Sequence, residues 1–113
     1  MRNVFRVLMV TAAFAVLAAR PAMAQGDAAK GKAVYAAQKC TGCHAIAGAG
    51  NKSNPLDGVG SKLSAADIRA WIVTPTQMTA KTKSTKKPPM PDRYSKLPAA
   101  DIDSLVAYMA SLK

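Results

Sequence analysis

Residues Cys40-Thr41-Gly42-Cys43-His44 place two thiols three positions apart and an imidazole directly after the second. On one helical turn, positions i and i+3 share a face. Both sulfurs can therefore bond the two vinyl groups along one side of a haem, and His44 then offers a ring nitrogen to its iron. This C-x-x-C-H spacing is the pattern of covalent haem attachment. The small Thr41 and Gly42 leave the turn uncrowded against a porphyrin. Two other chemistries share parts of the pattern. A structural zinc site normally needs four Cys or His ligands, yet Cys40, Cys43 and His44 are the only such residues in the chain. A redox dithiol or disulfide belongs in a βαβ context, and no strand pattern is present.

With His44 as one axial ligand and no second histidine, the sixth iron position falls to a methionine, a lysine, an exogenous ligand or nothing. Met109 lies on an apolar helical stripe, where methionine fills core space. Met90 sits in Pro88-Pro89-Met90-Pro91, and flanking prolines hold a backbone extended and stiff. A stiff loop suits the presentation of one thioether, so Met90 is placed ahead of Met78, which shares the loop without adjacent proline. Lys81, Lys83, Lys86 and Lys87 are the remaining protein candidates. A thioether opposite imidazole raises the reduction potential, and a filled six-coordinate iron resists oxygen and peroxide.

The elements that must position these groups read as helices. Residues 27–38 are alanine-rich with Val34 and Tyr35 as bulky contacts, a first helix leading straight into Cys40. Residues 45–62 are glycine-rich without a period and predict a loop over the His44 side. Ser64 resembles an N-cap, with Asp67 in the first turn and Ile68, Trp71 and Ile72 at helical spacing, and Pro75 is expected to stop that helix. Residues 76–94 carry lysines and prolines without an apolar period and predict an extended, irregular segment. In 98–112, Ile102, Leu105, Val106, Met109 and Leu112 form an apolar stripe, Pro98 suits the first turn, and Asp101 and Asp103 lie near the positive end of the dipole. The fold class is all-α: three main helices with long loops around one covalently attached haem. Loops that cover a cofactor are the recognised exception to short connections.

The start of the chain reads as a leader. Arg2 and Arg6 precede an apolar run from Val7 to Ala19, and Ala22-Met23-Ala24 is a small-residue cleavage site. The run is short of the roughly 20 residues a membrane span needs. Cleavage after Ala24 leaves 25–113 as a single domain in the periplasm, and removes Arg2, Arg6 and Arg20 from a chain of formal charge +10. A domain of that length is at the lower edge of what a core stabilises alone. Tyr35, Trp71, Tyr94 and Tyr108 are its only aromatic residues. The folded state is therefore expected to depend on haem. The basic balance admits nucleic acid, anionic lipid or acidic proteins, and export argues against nucleic acid.

From Gly26 to Leu112 the chain resembles the class I, mitochondrial-type bacterial cytochromes c. The residues carrying the resemblance are Gly26-Asp27 with Gly31, Cys40 to His44, Leu56 to Gly58, Met90-Pro91, and Ile102 to Tyr108. The resemblance implies the cytochrome c fold, with Gly31 and Tyr35 crossing the last helix near Tyr108. It implies thioether bonds at Cys40 and Cys43 to haem c, one per chain, and His44 and Met90 as axial iron ligands. It also makes Trp71 a candidate to reach a haem propionate, beside its plain role as packing. The family places a proline two residues before the leucine and uses its carbonyl to hold the ligand histidine. Here Asn54 occupies that position and Pro55 abuts Leu56, which leaves the acceptor open by one residue.

The function implied is a periplasmic electron carrier, monomeric, not an integral membrane protein and not an enzyme. Lysines 81, 83, 86 and 87 would steer acidic redox-partner proteins into short-lived contacts. One alternative is a haem subunit of a larger oxidoreductase. Another is a haem sensor or peroxidase with an open sixth site, which lacks an evident acid–base residue: the distal loop has no histidine, and all six acidic residues are Asp.

Overall fold

The computed structural model describes residues 26–113; the leader expected over 1–24 lies outside the described residues. Asp27 caps the first helix, α1 (Ala28–Ala37), its carboxylate accepting from the amides of Ala29 (2.8 Å) and Lys30 (3.3 Å). Gln38 ends it and Lys39 takes a left-handed conformation (φ 55°), which turns the chain into a 3₁₀ turn at Cys40–Gly42. A two-residue antiparallel pair follows, β1 (Ala45–Ile46) with β2 (Ala49–Gly50). Then come α2 (Val59–Lys62), α3 (Ala65–Val73), α4 (Pro75–Thr82), a 3₁₀ turn at Asp92–Lys96 and α5 (Ala99–Ser111).

The three expected helices are α1, α3 and α5. Ser64 caps α3 through its hydroxyl, which accepts from the Asp67 amide at 3.1 Å. Pro98 caps α5 from one position outside the helix instead of entering its first turn. The fold therefore is the all-α arrangement that the sequence predicts, with three local differences.

Residues 75–82 are helical where an irregular segment is expected. Pro75 ends α3 and begins α4 in the same step. Thr74 (φ −135°, ψ 54°) breaks the chain direction, and a proline at N1 loses nothing, since that amide has no helical acceptor. Pro75 and Met78, three apart, are both buried while Thr76, Gln77 and Lys81 face solvent. An apolar face of two residues is too short to register as a period. The second and third differences lie in the glycine-rich loop, which contains the small β1–β2 pair and the single turn α2. The chain end anchors α2: the Gly60 amide donates to the Leu112 carbonyl at 2.8 Å and Lys113 Nζ to the Gly60 carbonyl at 3.0 Å.

The core joins α1, α3, α5 and the second 3₁₀ turn through Val34, Tyr35, Ile68, Ile72, Tyr94, Ile102, Leu105, Val106 and Met109. At its centre α1 crosses α5. A Cβ on Gly31 would overlap the Ser104 carbonyl and the Tyr108 Cβ, so only glycine admits this approach. Buried Ser104 supplies the matching small residue. Just beyond the crossing, the Tyr35 and Tyr108 rings meet edge to face, centroids 5.8 Å apart at 71°. Two ion pairs flank α5, Lys30 to Asp101 at 3.2 Å and Arg69 to Asp103. Being partly exposed, each contributes at most about 1 kcal/mol. Among the described residues no helix is long and apolar enough to cross a membrane.

Gly31→Ala should lower the stability of the haem-loaded protein by about 2 kcal/mol, because the overlap with fixed backbone outweighs the gain in helix propensity. Urea unfolding followed by far-UV circular dichroism reads this directly; a midpoint equal to that of the wild type would mean the helices separate without cost.

Candidate haem site

The Cys40 turn is held from both sides. Within it, the Cys43 and His44 amides donate to the Cys40 carbonyl at 3.1 and 2.9 Å. From outside, the Asn51 amide is shared between the carbonyls of Thr41 and His44, 3.0 Å from each, and Asn51 Nδ2 donates to the Gly42 carbonyl at 3.4 Å. Gly50 lies so close that a Cβ there would overlap the His44 carbonyl, and its φ of 113° favours glycine as well. The two thiols are free, Cys40 half-buried and Cys43 exposed.

Asn51 also shapes the next turn. Its Oδ1 accepts from the Ser53 amide (3.1 Å) and hydroxyl (2.6 Å), the side-chain-to-backbone closure typical of an Asn turn. This brings the Asn54 carbonyl to 3.1 Å from His44 Nδ1. A carbonyl can only accept, so Nδ1 carries the proton and Nε2 is left with its lone pair. The acceptor left open by the sequence is thus the Asn54 carbonyl, at the family position, while Pro55 bridges to Ala45 in a parallel β contact. Burial holds the His44 ring below its ordinary pKa, and the Asn54 carbonyl opposes that shift. The net effect favours the neutral imidazole that metal ligation requires. Burial pushes the Cys40 thiol up, partly offset by the Arg93 charge.

His44 opens onto a cavity of about 410 Å³. Cys40, Cys43, His44 and Met90 all line it, so the structure brings together the four residues singled out from the sequence. Leu56, Leu63, Ile68, Ile72, Leu105 and Met109 give it apolar walls. Trp71 is part of the lining, half-buried. Met90 arrives with Pro88, Pro89 and Pro91 on the 84–91 loop. Met78, in contrast, is buried on α4 and does not line the cavity; nor do Lys81 and Lys83, whereas Lys86 does. Sequence reasoning missed Arg93. Its guanidinium stacks 4.9 Å from the Tyr94 ring centroid and donates to Tyr94 Oη at 2.8 Å on the cavity rim. An Arg-Tyr step in a polar segment carries no distinguishing signal.

The residues fit a haem. The lining offers two thiols on one turn, a neutral imidazole nitrogen, a thioether and an apolar enclosure. Among the described residues no group of three His, Cys, Asp or Glu side chains could hold a bare metal ion. The Tyr35 hydroxyl, also at this cavity, is buried without a partner, which costs about 1–3 kcal/mol unless something else accepts its proton.

Over residues 28–113 the chain matches the Cytochrome c family. It belongs to that family, whose members carry covalently attached haem c and use its iron for electron transfer. Neither a curated protein nor a solved structure matches the chain.

Burial, followed by the nearby Cys40, Tyr108 and Asp57, pushes the Tyr35 phenol from 10.0 up to about 12. The folded protein therefore holds this proton more tightly than the unfolded chain. Its contribution to stability is complete below about pH 10 and declines as pH rises from there towards about 12. The urea midpoint of the wild type should fall relative to that of Tyr35→Phe as pH rises across that window; a constant difference would place the phenol's titration elsewhere.

Proposed function

We infer that this protein is a monomeric periplasmic electron carrier, with haem c attached through Cys40 and Cys43 and its iron held between His44 and Met90. The observation that carries the reading is that Met90 lines the same cavity as His44 and reaches it on a separate, proline-stiffened loop, whereas Met78 does not line it. When bound, the haem supplies an iron that exchanges one electron between Fe(III) and Fe(II).

The chain's own residues tune and protect that exchange. The Asn54 carbonyl fixes the ring orientation of His44 and keeps Nε2 free of a proton. A neutral thioether from Met90 favours the reduced state. The Leu, Ile and Met walls would limit water at the iron, and among the described residues no carboxylate lines the cavity to serve as an acid or base for peroxide chemistry. These features support a carrier over a sensor, a peroxidase or another enzyme.

Lys86 and Lys87 are exposed beside the exposed Cys43, where the attached haem would come nearest to solvent. Lys86 Nζ donates to the Ser53 carbonyl at 3.1 Å and so ties the Met90 loop to the Asn51 turn. Their charge, with that of Lys81 and Lys83, steers acidic partner proteins into brief contact, raising encounter rates more than affinity. Residues 1–24 serve as the leader for export, and the mature chain begins at Gln25.

Two measurements test this. Carbon monoxide added to the reduced wild-type protein should leave its visible spectrum unchanged, while Met90→Ala should bind it promptly and show a lower potential. Binding by the wild type would remove Met90 from the iron. Reversing charge at Lys86 and Lys87 together should slow electron transfer to an acidic partner about tenfold at low salt and flatten its salt dependence; an unchanged salt slope would rule out steering by these lysines.

A further inference from the structure

The charge on the cavity wall is all of one sign. Lys39, Lys86 and Arg93 line it, and among the described residues no carboxylate does. Of these three cations, Arg93 alone is held by a buried side chain. Tyr94 is 8% exposed and belongs to the core. Its Oη accepts from the Arg93 guanidinium at 2.8 Å, and the guanidinium carbon stands 4.9 Å from its ring centroid. A hydrogen bond and a cation–π contact to one core residue pin an otherwise flexible side chain to a single place on the rim. No acidic partner takes up the charge: neither ion pair among the described residues includes Arg93. The adjacent Asp92 carboxylate is turned instead to the Thr76 hydroxyl, which donates to it at 3.0 Å.

Arg93 shares its wall with Cys40 and Cys43, the two thiols through which the proposed attachment ties the haem. Fe(III) haem carries one more positive charge than Fe(II) haem. A fixed cation nearby therefore raises the energy of the oxidised form more than that of the reduced form, and the apolar walls weaken the screening between them. We propose that Arg93, anchored on Tyr94, raises the reduction potential of the haem by holding a fixed positive charge beside it. The guanidinium stays protonated throughout the physiological range, so this bias does not titrate away. Its outer side is exposed, and solvent keeps the effect modest. The inference rests on haem bound in this cavity and is independent of which ligand holds the sixth position.

The test compares haem-loaded wild type, Arg93→Gln, Arg93→Lys and Lys96→Gln by redox titration and visible spectroscopy. Lys96 is exposed on the same 3₁₀ turn and does not line the cavity, so its loss removes the same net charge from a different place. Arg93→Gln should shift the equilibrium about threefold towards Fe(III), a drop of about 28 mV for one electron, with the haem bands unmoved. The gap should narrow as salt is added. Arg93→Lys, which keeps the charge, should recover most of the drop, and Lys96→Gln should stay close to the wild type. Equal potentials in wild type and Arg93→Gln, or an equal drop in Lys96→Gln, would overturn the proposal. A drop accompanied by altered haem bands would assign it to a change of iron ligand and overturn it as well. Carbon monoxide binding by the reduced wild type bears on Met90 alone, so failure of that ligand and failure of this charge give separate signals.

Discussion

The close crossing of α1 and α5 is the constraint on which the rest of this protein depends. Gly31 lies against the Ser104 carbonyl with no room for a side chain, and Gly26 is similarly tight against Asp103. Backbones this close fix the azimuth of α1, and from that azimuth the next turns follow. Val34 and Tyr35 point into the core, and the chain leaves Gln38 in the direction that puts Cys40 and Cys43 on the cavity wall. The two ends of the domain thereby close on each other and leave an apolar space between α1, α3 and α5. In a chain this small, a large apolar group in that space would supply core volume, the reason folding is expected to depend on haem.

A second layer of control comes from backbone carbonyls and not from side-chain chemistry. His44 is oriented by the Asn54 carbonyl, the Asn54 turn is shaped by Asn51, and Asn51 also holds the Cys40 turn from outside. One short loop thus sets both the Cys40 turn and the tautomer of His44. Because the acceptor is main chain, the residue type at 54 is free to differ from the usual proline while the geometry persists. The Lys86 contact to Ser53 extends the same loop to the Met90 segment, so both sides of the cavity share one polar strap at the rim.

Some of this was legible in the residues. The turn at Cys40, the caps at Asp27 and Ser64 and the α5 stripe are local or strictly periodic, and each appears in the structure where the spacing puts it. α4 was not legible, because its buried face is only Pro75 and Met78 and its other positions favour solvent. Its helix forms because Thr74 turns the chain so that those two residues meet the core. The β1–β2 pair and α2 are likewise too short for a pattern, and they exist through contacts to Asn51, Pro55 and Leu112 that are distant in sequence.

The sequence by itself therefore determined the chemistry: two thiols and an imidazole at fixed spacing, in an all-α frame with a stiff methionine loop. These are properties of neighbours along the chain, and neighbours are what a sequence records. The tertiary structure alone decided which methionine shares the cavity with His44, which carbonyl holds its ring, that Arg93 closes the rim and that the Tyr35 hydroxyl is buried without a partner. Each depends on segments brought together by the α1–α5 crossing, and the distance between such segments is fixed only when the backbones pack.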